Sequence, residues 1–123
     1  NYCFYSKRAI QIFAENIKKG ELITIFGNGT NKRDYIFLED AVDGIIWGMN
    51  QQGIFNISTG KAISLNKVVD IFTKISGKGV RIRYIKNFKQ LDYNYSPNKA
   101  LKFGFSTRIP IEVGLERVYH SVR

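Results

Sequence analysis

Short β-branched runs alternate with segments of helical periodicity along this chain, and that alternation limits the fold more than any other feature. The helical segments begin near residues 5, 39, 64, 96 and 110. Between them lie runs typical of strands, at 22–26, 33–37, 54–58 and 80–85. The pattern predicts an α/β fold, with about five helices around a small mixed sheet of about four short strands.

Local capping signals place the ends of several predicted helices. Gly20 and Gly77 are suited to end the first and third helices, and Ser64 is a suitable N-cap for the third. Ser96 followed by Pro97 predicts another helix start, with proline at the first helical position.

The arrangement of the strands is less constrained. A polar turn at 27–32 separates strands 22–26 and 33–37, so the two either pair as a hairpin or the second joins another sheet. A doubly wound domain would show longer and more continuous apolar strands. We therefore expect these strands to need a neighbour that completes their burial.

Charge is distributed unevenly along a chain whose 123 residues fit one domain, 1–123. Lys and Arg number 19 against 10 Asp and Glu, a formal net charge of +9. Residues 1–60 carry six basic and six acidic side chains, whereas residues 61–123 carry thirteen and four. This excess indicates an anionic partner: nucleic acid, an anionic membrane or a phosphorylated small molecule.

Several classes of protein are disfavoured by composition. No apolar run approaches the roughly 20 residues of a membrane span. We expect no signal peptide, because Lys7 and Arg8 follow only a short mixed segment. The single Cys3 forms no internal disulfide, and the single His120 builds no zinc cluster. We expect a cytoplasmic protein without a metal site.

Two motifs suggestive of enzymes lack the context that their chemistry needs. The Gly-x-Gly at 27–29 resembles the start of the dinucleotide-binding fingerprint, but Lys32 stands where that fingerprint has its third glycine. The fingerprint is also followed by a helix, whereas here a strand follows. Residues 95–99 spell Tyr-x-x-x-Lys, but Pro97 places the tyrosine outside the helix, so the two side chains would not share a face.

Two charged clusters leave alternatives open. Glu39, Asp40 and Asp43 form either a general acid/base group or a set of helix-start acids stabilised by the helix dipole. Aromatic and basic residues interleave over 83–95, which is typical of base-stacking surfaces and equally of a solvated basic face. Nucleic-acid binding is disfavoured, because no known nucleic-acid motif accompanies the charge.

The segment GNGTNKRDYIFLEDAVD at 27–43 resembles the C-terminal part of the extended short-chain dehydrogenases, the nucleotide-sugar epimerases and dehydratases. Four further stretches agree with that family in order and spacing: FNISTG at 55–60, ISL at 63–65, NKALKFGF at 98–105 and EVGL at 112–115. The resemblance covers nearly the whole chain.

The resemblance implies the substrate-binding lobe of an NAD- or NADP-dependent epimerase or dehydratase. In this family the cofactor-binding glycines and the catalytic residues lie in an N-terminal Rossmann lobe, which this chain does not resemble. We therefore expect no catalytic residue and no turnover by this chain alone. The expected partners are a nucleotide-sugar substrate, the missing Rossmann lobe and, in the full enzyme, a second copy.

Three residues are expected at the substrate by the same resemblance. Arg33 matches an arginine that binds the diphosphate, and Tyr35 matches a position near the nucleotide; an ion pair with a local acid is the alternative for Arg33. Lys86 stands where the family carries a second arginine. Lys89 replaces an acid that often contacts the ribose in this family, and Ser58 replaces a common glycine. The identity of the nucleotide is therefore left open.

Two alternatives to this function remain at the level of sequence. One is a stand-alone basic module for RNA or single-stranded DNA. The other is an inactive remnant whose only role is interaction with other chains. The sequence does not determine the base or the sugar of the substrate. It also does not determine whether the enzyme is an epimerase, a dehydratase or a reductase, or what its oligomeric state is.

Overall fold

A computed structural model describes residues 8–89 and 91–123, and within them the chain is an α/β fold with five helices and two small sheets. The helices are α1 (Ala9–Lys19), α2 (Leu38–Gly48), α3 (Leu65–Ser76), α4 (Asn98–Lys102) and α5 (Ile111–Ser121). The strands are β1 (Ile23–Phe26), β2 (Lys32–Asp34), β3 (Ala62–Ser64) and β4 (Ile82–Ile85). Cys3 and the predicted start of the first helix near residue 5 lie outside the described residues.

The strands form two pairs in place of the one mixed sheet that was predicted. β1 runs parallel to β4, with Ile23 opposite Ile82 and Phe26 opposite Ile85. β2 runs antiparallel to β3, with Arg33 opposite Ile63. The hairpin alternative for β1 and β2 is therefore wrong, and the second strand joins another sheet.

The strand predicted at 54–58 is wrong for the described part of the chain, where these residues pair with no strand. The run has the composition of a strand, but a strand needs a neighbour that accepts its backbone hydrogen bonds. The Ile54 carbonyl instead accepts a hydrogen bond from Lys99 Nζ at 2.7 Å. The strand that does form, β3, lies just beyond this run.

The core lies where α1, α3 and α5 pack together over β1. Each helix contributes an apolar stripe with 3.6-residue spacing, as amphipathic helices do. The buried apolar side chains of this core are Phe13, Ala14, Ile17, Ile23, Ile25, Val68, Val69, Ile71, Phe72, Leu115, Tyr119 and Val122. This core leaves the loops at the carboxyl ends of β1 and β4 on the surface.

The capping signals predicted for α1 and α3 are confirmed, whereas the one predicted for α4 is displaced by one residue. Gly20 and Gly77 follow the last residues of α1 and α3, and the Ser64 hydroxyl accepts a hydrogen bond from the Lys67 amide at 3.1 Å. Ser96 accepts one from the Asn98 amide at 3.3 Å, but it is not the N-cap of α4 as predicted. Pro97 takes that position, and the helix begins at Asn98. These signals act within a few residues, so the sequence displays them directly.

Helix α2 forms where it was predicted, but much of its apolar surface faces solvent. Its buried positions are Asp40 and Gly44, and a Cβ on Gly44 would lie 2.6 Å from the Ile57 side chain. The exposed apolar set, here called the α2 surface, comprises Leu38, Val42, Ile45, Ile46 and Met49. Large contiguous apolar surfaces of this kind are typical of interaction sites.

Candidate functional site

An open cleft of about 1120 Å³ lies where the parallel strands β1 and β4 end side by side. The Gly27 amide donates to the Ile85 carbonyl at 2.9 Å, which holds the two strand ends together. Ligands of α/β proteins bind outside the carboxyl ends of parallel strands. The cleft is lined by Gly27, Asn28, Thr30, Asn31, Tyr84, Lys86, Asn87, Phe88, Lys89 and Leu91.

The first wall of the cleft is a structured turn, residues 27–31. Asn28 Oδ1 accepts hydrogen bonds from the amide and the hydroxyl of Thr30, at 3.1 and 2.6 Å. A Cβ on Gly27 would lie 3.0 Å from the Phe88 carbonyl oxygen, so glycine lets the second wall approach closely.

Asn66, near the start of α3, ties this turn to β4. Its amide Nδ2 donates to the Asn28 carbonyl at 3.1 Å, and its backbone amide donates to the Gly29 carbonyl at 3.0 Å. Its Oδ1 accepts a hydrogen bond from the Tyr84 hydroxyl at 2.9 Å. Sequence reasoning missed Asn66, because no local pattern marks contacts between residues so far apart. Tyr84 belongs to the aromatic and basic stretch at 83–95 that the sequence did indicate.

Gly29→Ala is expected to destabilise the chain by about 1–2 kcal/mol more than Gly77→Ala. Both glycines have positive φ, 75° and 65°, so alanine is strained at either position. At Gly29 the new Cβ would also lie 2.7 Å from Asn66 Cγ, whereas at Gly77 it would meet nothing within 4 Å. Urea denaturation of both variants checks this. Equal losses would show that Asn66 yields freely.

Arg33 lies exposed on β2 and stacks on an aromatic ring. Its guanidinium carbon is 4.9 Å from the centre of the Tyr93 ring, within the range of a cation–π contact. The Lys32 backbone bonds to the same segment: its amide donates to Asp92 Oδ1 at 2.8 Å, and its carbonyl accepts from the Tyr93 amide at 3.0 Å. Within residues 8–89 and 91–123, Arg33 forms no ion pair, contrary to the alternative considered for it.

The three residues expected at the substrate do not line one cavity. Lys86 and Lys89 line the cleft, whereas Arg33 lies on the strand that follows its first wall. Tyr35 lines a separate apolar cavity of about 250 Å³ between α1 and α5. Burial there raises the pKa of the Tyr35 phenol above its ordinary value, and the nearby Arg33 charge partly opposes that rise.

The three carboxylates near the start of α2 are all engaged in structural contacts. Asp40 is buried and accepts the backbone amides of Arg108 and Ile109, at 3.0 and 2.9 Å. Asp43 pairs with the Arg108 guanidinium at 2.8 Å, which raises the pKa of Arg108 above its usual value. Glu39 pairs with Arg117 at 3.1 Å. The structure thus favours structural roles over a general acid/base group.

Other residues of the recognised motifs also hold the fold together. The Asp34 carboxylate accepts the amides of Thr59 and Gly60, at 3.1 and 2.7 Å, and the buried Ser58 donates its hydroxyl to the Tyr95 carbonyl. Tyr95 lies outside α4, so the Tyr-x-x-x-Lys spacing has no shared helix face. In the part of the chain that the structure describes, no cluster of His, Cys, Asp and Glu is placed to hold a metal.

Comparison with known proteins identifies the relatives of this fold and cleft. Residues 3–58 match the model of the NAD dependent epimerase/dehydratase family. A UDP-glucuronate 4-epimerase of Thermodesulfobacterium geofontis is 33% identical over 112 residues, 85% of this chain and 34% of that protein. The chain belongs to the NAD-dependent epimerase/dehydratase family. It matches only part of the family's enzymes, as expected from the resemblance to their C-terminal part.

Two further matches define how much of the family fold is present. A dTDP-glucose 4,6-dehydratase of Streptomyces niveus is 23% identical over 118 residues, 90% of this chain and 35% of that protein. The crystal structure of a UDP-glucuronic acid 4-epimerase of Bacillus cereus, in complex with UDP-glucuronic acid and NAD, superposes with a TM-score of 0.84. That match is 22% identical and covers 93% of this chain and 39% of the other. The chain spans about a third of the length of these curated relatives.

Proposed function

We propose that this chain is the substrate-binding part of an NAD-dependent nucleotide-sugar epimerase or dehydratase, and that it binds the nucleoside diphosphate of the substrate. The observation that carries the proposal is the cleft at the carboxyl ends of β1 and β4. Lys86 and Lys89 line it, and Arg33 lies on the strand that follows its first wall.

The charges of this region suit a diphosphate. The described lining of the cleft contains two lysines and no carboxylate, so an anion meets attraction without opposing charge. Arg33 lacks an acidic partner in the described residues, and Tyr93 restricts where its guanidinium lies. A planar guanidinium makes paired hydrogen bonds to phosphate oxygens, whereas lysine acts as a point charge. We assign the diphosphate to Arg33 with Lys86. A role of Tyr35 near the nucleotide stays a prediction, because Tyr35 lines the separate cavity and not the cleft.

The turn at 27–31 does not fit NAD itself. A dinucleotide site needs a glycine turn that leads from a strand into a helix, whose amino end receives the pyrophosphate. Here the turn leads from β1 into β2. We therefore assign NAD or NADP, and the catalytic residues, to a Rossmann lobe outside this chain. Binding and orienting the substrate is the part left to residues 1–123 as one domain.

The α2 surface is our proposed contact with that lobe. Its five apolar side chains are exposed, and Ile54, in the unpaired segment that follows α2, is exposed as well. The curated relatives are about three times as long as the matched region, so they contain the mass that would cover such a surface. No helix in the described residues has the length and apolar character to cross a membrane. A cytoplasmic location and a homodimer stay predictions.

Arg33→Ala is expected to weaken the binding of nucleoside diphosphates by about 1.5–3 kcal/mol, the value of a hydrogen bond to a charged group, or roughly 10- to 150-fold. Isothermal titration of the chain with UDP, dTDP and GDP measures this. Arg83→Ala is the matched control, because Arg83 is an exposed strand arginine like Arg33 but lies on β4, outside the family segment at 27–43.

Two outcomes would contradict the proposed function. Equal losses in the Arg33 and Arg83 variants would show a diffuse charge effect in place of a site. Salt-sensitive binding of an oligonucleotide that UDP and dTDP do not displace would favour the nucleic-acid module instead.

A further inference from the structure

The second wall of the cleft presents an exposed aromatic ring. Phe88 is 53% exposed, and its ring centre lies 5.3 Å from that of Phe26, at an interplanar angle of 55°. Phe26 ends β1 and is 48% exposed. Phe88 lines the cleft, and the two phenylalanines, which contact each other and remain half in water, form an exposed apolar surface there. Such surfaces are typical of binding sites.

The backbone fixes the position of this ring. Asn87 has a φ of 67°, which is uncommon for a residue with a Cβ and turns the chain just before Phe88. The Phe88 carbonyl packs against Gly27 so closely that a Cβ there would lie 3.0 Å from its oxygen. The backbone of Phe88 is therefore held by a tight turn and by a neighbouring strand end, which sets where its side chain leaves the wall. A non-glycine residue with positive φ beside a cleft is a recognised indication of function.

The charges around Phe88 narrow the chemistry of its ligand. Lys86 and Lys89 lie two residues before it and one residue after it, and both line the cleft. A ligand that contacts both the lysines and the phenylalanine of this wall has an anionic group for the lysines and a flat, unsaturated ring that stacks on the phenylalanine. A nucleoside diphosphate carries both groups in one molecule.

We propose that Phe88 is the stacking platform for the nucleobase of the substrate, a role that rests on the proposed function. Its ring contacts Phe26 in a tilted arrangement, and about half of the residue stays exposed and available to the base. Every base has a π-face, so this platform anchors the nucleotide without choosing among bases. The lysines then meet the phosphates that the stacked base brings into the cleft.

Comparison of UDP with inorganic pyrophosphate separates stacking from phosphate binding. Phe88→Leu keeps an apolar side chain and removes the aromatic face. We expect it to weaken UDP binding about 5- to 150-fold, the range for loss of one base stack, and to leave pyrophosphate binding unchanged. Phe88→Trp is expected to restore UDP affinity. Isothermal titration of the full chain provides all of these values, with thermal unfolding as a check on the fold.

Phe103→Leu is the matched control. Phe103 is 54% exposed and contacts Phe55 with ring centres 5.6 Å apart, but it does not line the cleft. Its variant is expected to bind UDP as the unaltered chain does.

Three outcomes would overturn the stacking role. In the first, Phe88→Leu binds UDP with an affinity within twofold of that of the unaltered chain. In the second, Phe88→Leu loses affinity for UDP and for pyrophosphate to the same extent. In the third, Phe88→Trp fails to restore UDP binding. An unaltered chain that binds neither UDP nor pyrophosphate would defeat the proposed function and the platform together. If the unaltered chain binds UDP and Phe88→Leu binds it equally well, only the stacking role of Phe88 is contradicted, and the proposed function stands.

Discussion

Asp40→Ala is expected to lower the free energy of unfolding by about 3–5 kcal/mol. The Asp40 side chain is 1% exposed, and each of its oxygens accepts one backbone amide of the segment before α5. Alanine would leave the amides of Arg108 and Ile109 without acceptors in a region from which water is largely excluded. Hydrogen bonds to a charged group contribute about 1.5–3 kcal/mol each, and here two are lost. Urea denaturation followed by circular dichroism measures the change.

Asp43→Ala is the matched control for this prediction. Asp43 lies one turn along α2 and pairs with the same residue, Arg108, through an exposed side-chain contact at 2.8 Å. Exposed ion pairs contribute about 0–1 kcal/mol, so little stability is expected to be lost. Asp40→Asn keeps the shape of the side chain and removes its charge. It also turns one of the two acceptor oxygens into an NH₂ group that faces an amide donor. Equal losses for Asp40→Ala and Asp43→Ala would contradict the structural role of Asp40.

The predicted elements that proved correct are those that depend on neighbours in sequence. Ser64 caps α3 and Gly77 follows it, because each acts within a few residues of itself. The run at 54–58 has equally good strand composition, yet it pairs with nothing in the described residues. Composition sets what a segment is able to form, whereas pairing depends on which other segments lie beside it.

The candidate site divides in the same way. Lys86 was indicated by a family motif, and it lines the cleft. Asn66, which holds the turn, carries no motif and contacts a residue 38 positions away. Tyr93 belongs to the aromatic and basic stretch at 83–95, but that pattern does not indicate its contact with Arg33, 60 positions away. The basic stretch at 74–89 shows that composition alone does not identify the residues of a site. It contains six cationic side chains, and only Lys86 and Lys89 line the cleft.

The α2 surface supplies the last prediction, in which the effect of one substitution depends on the length of the protein around it. Ile45 is 66% exposed in the chain described here, so Ile45→Glu is expected to change the stability of this chain by no more than about 0.5 kcal/mol. In the longer enzyme that we propose, the Rossmann lobe covers Ile45. The same glutamate would then be a buried charge without a partner, at a cost of about 3–5 kcal/mol.

Urea denaturation of both lengths of protein measures this difference. Val113→Glu is the matched control, since Val113 is an exposed apolar residue of α5, outside the α2 surface, and a small effect at both lengths is expected. Amide exchange gives a second readout, because α2 should exchange more slowly in the longer protein if its outer face is covered. Equal effects of Ile45→Glu at both lengths would show that α2 stays in solvent, and the lobe would then have to contact another face of this domain.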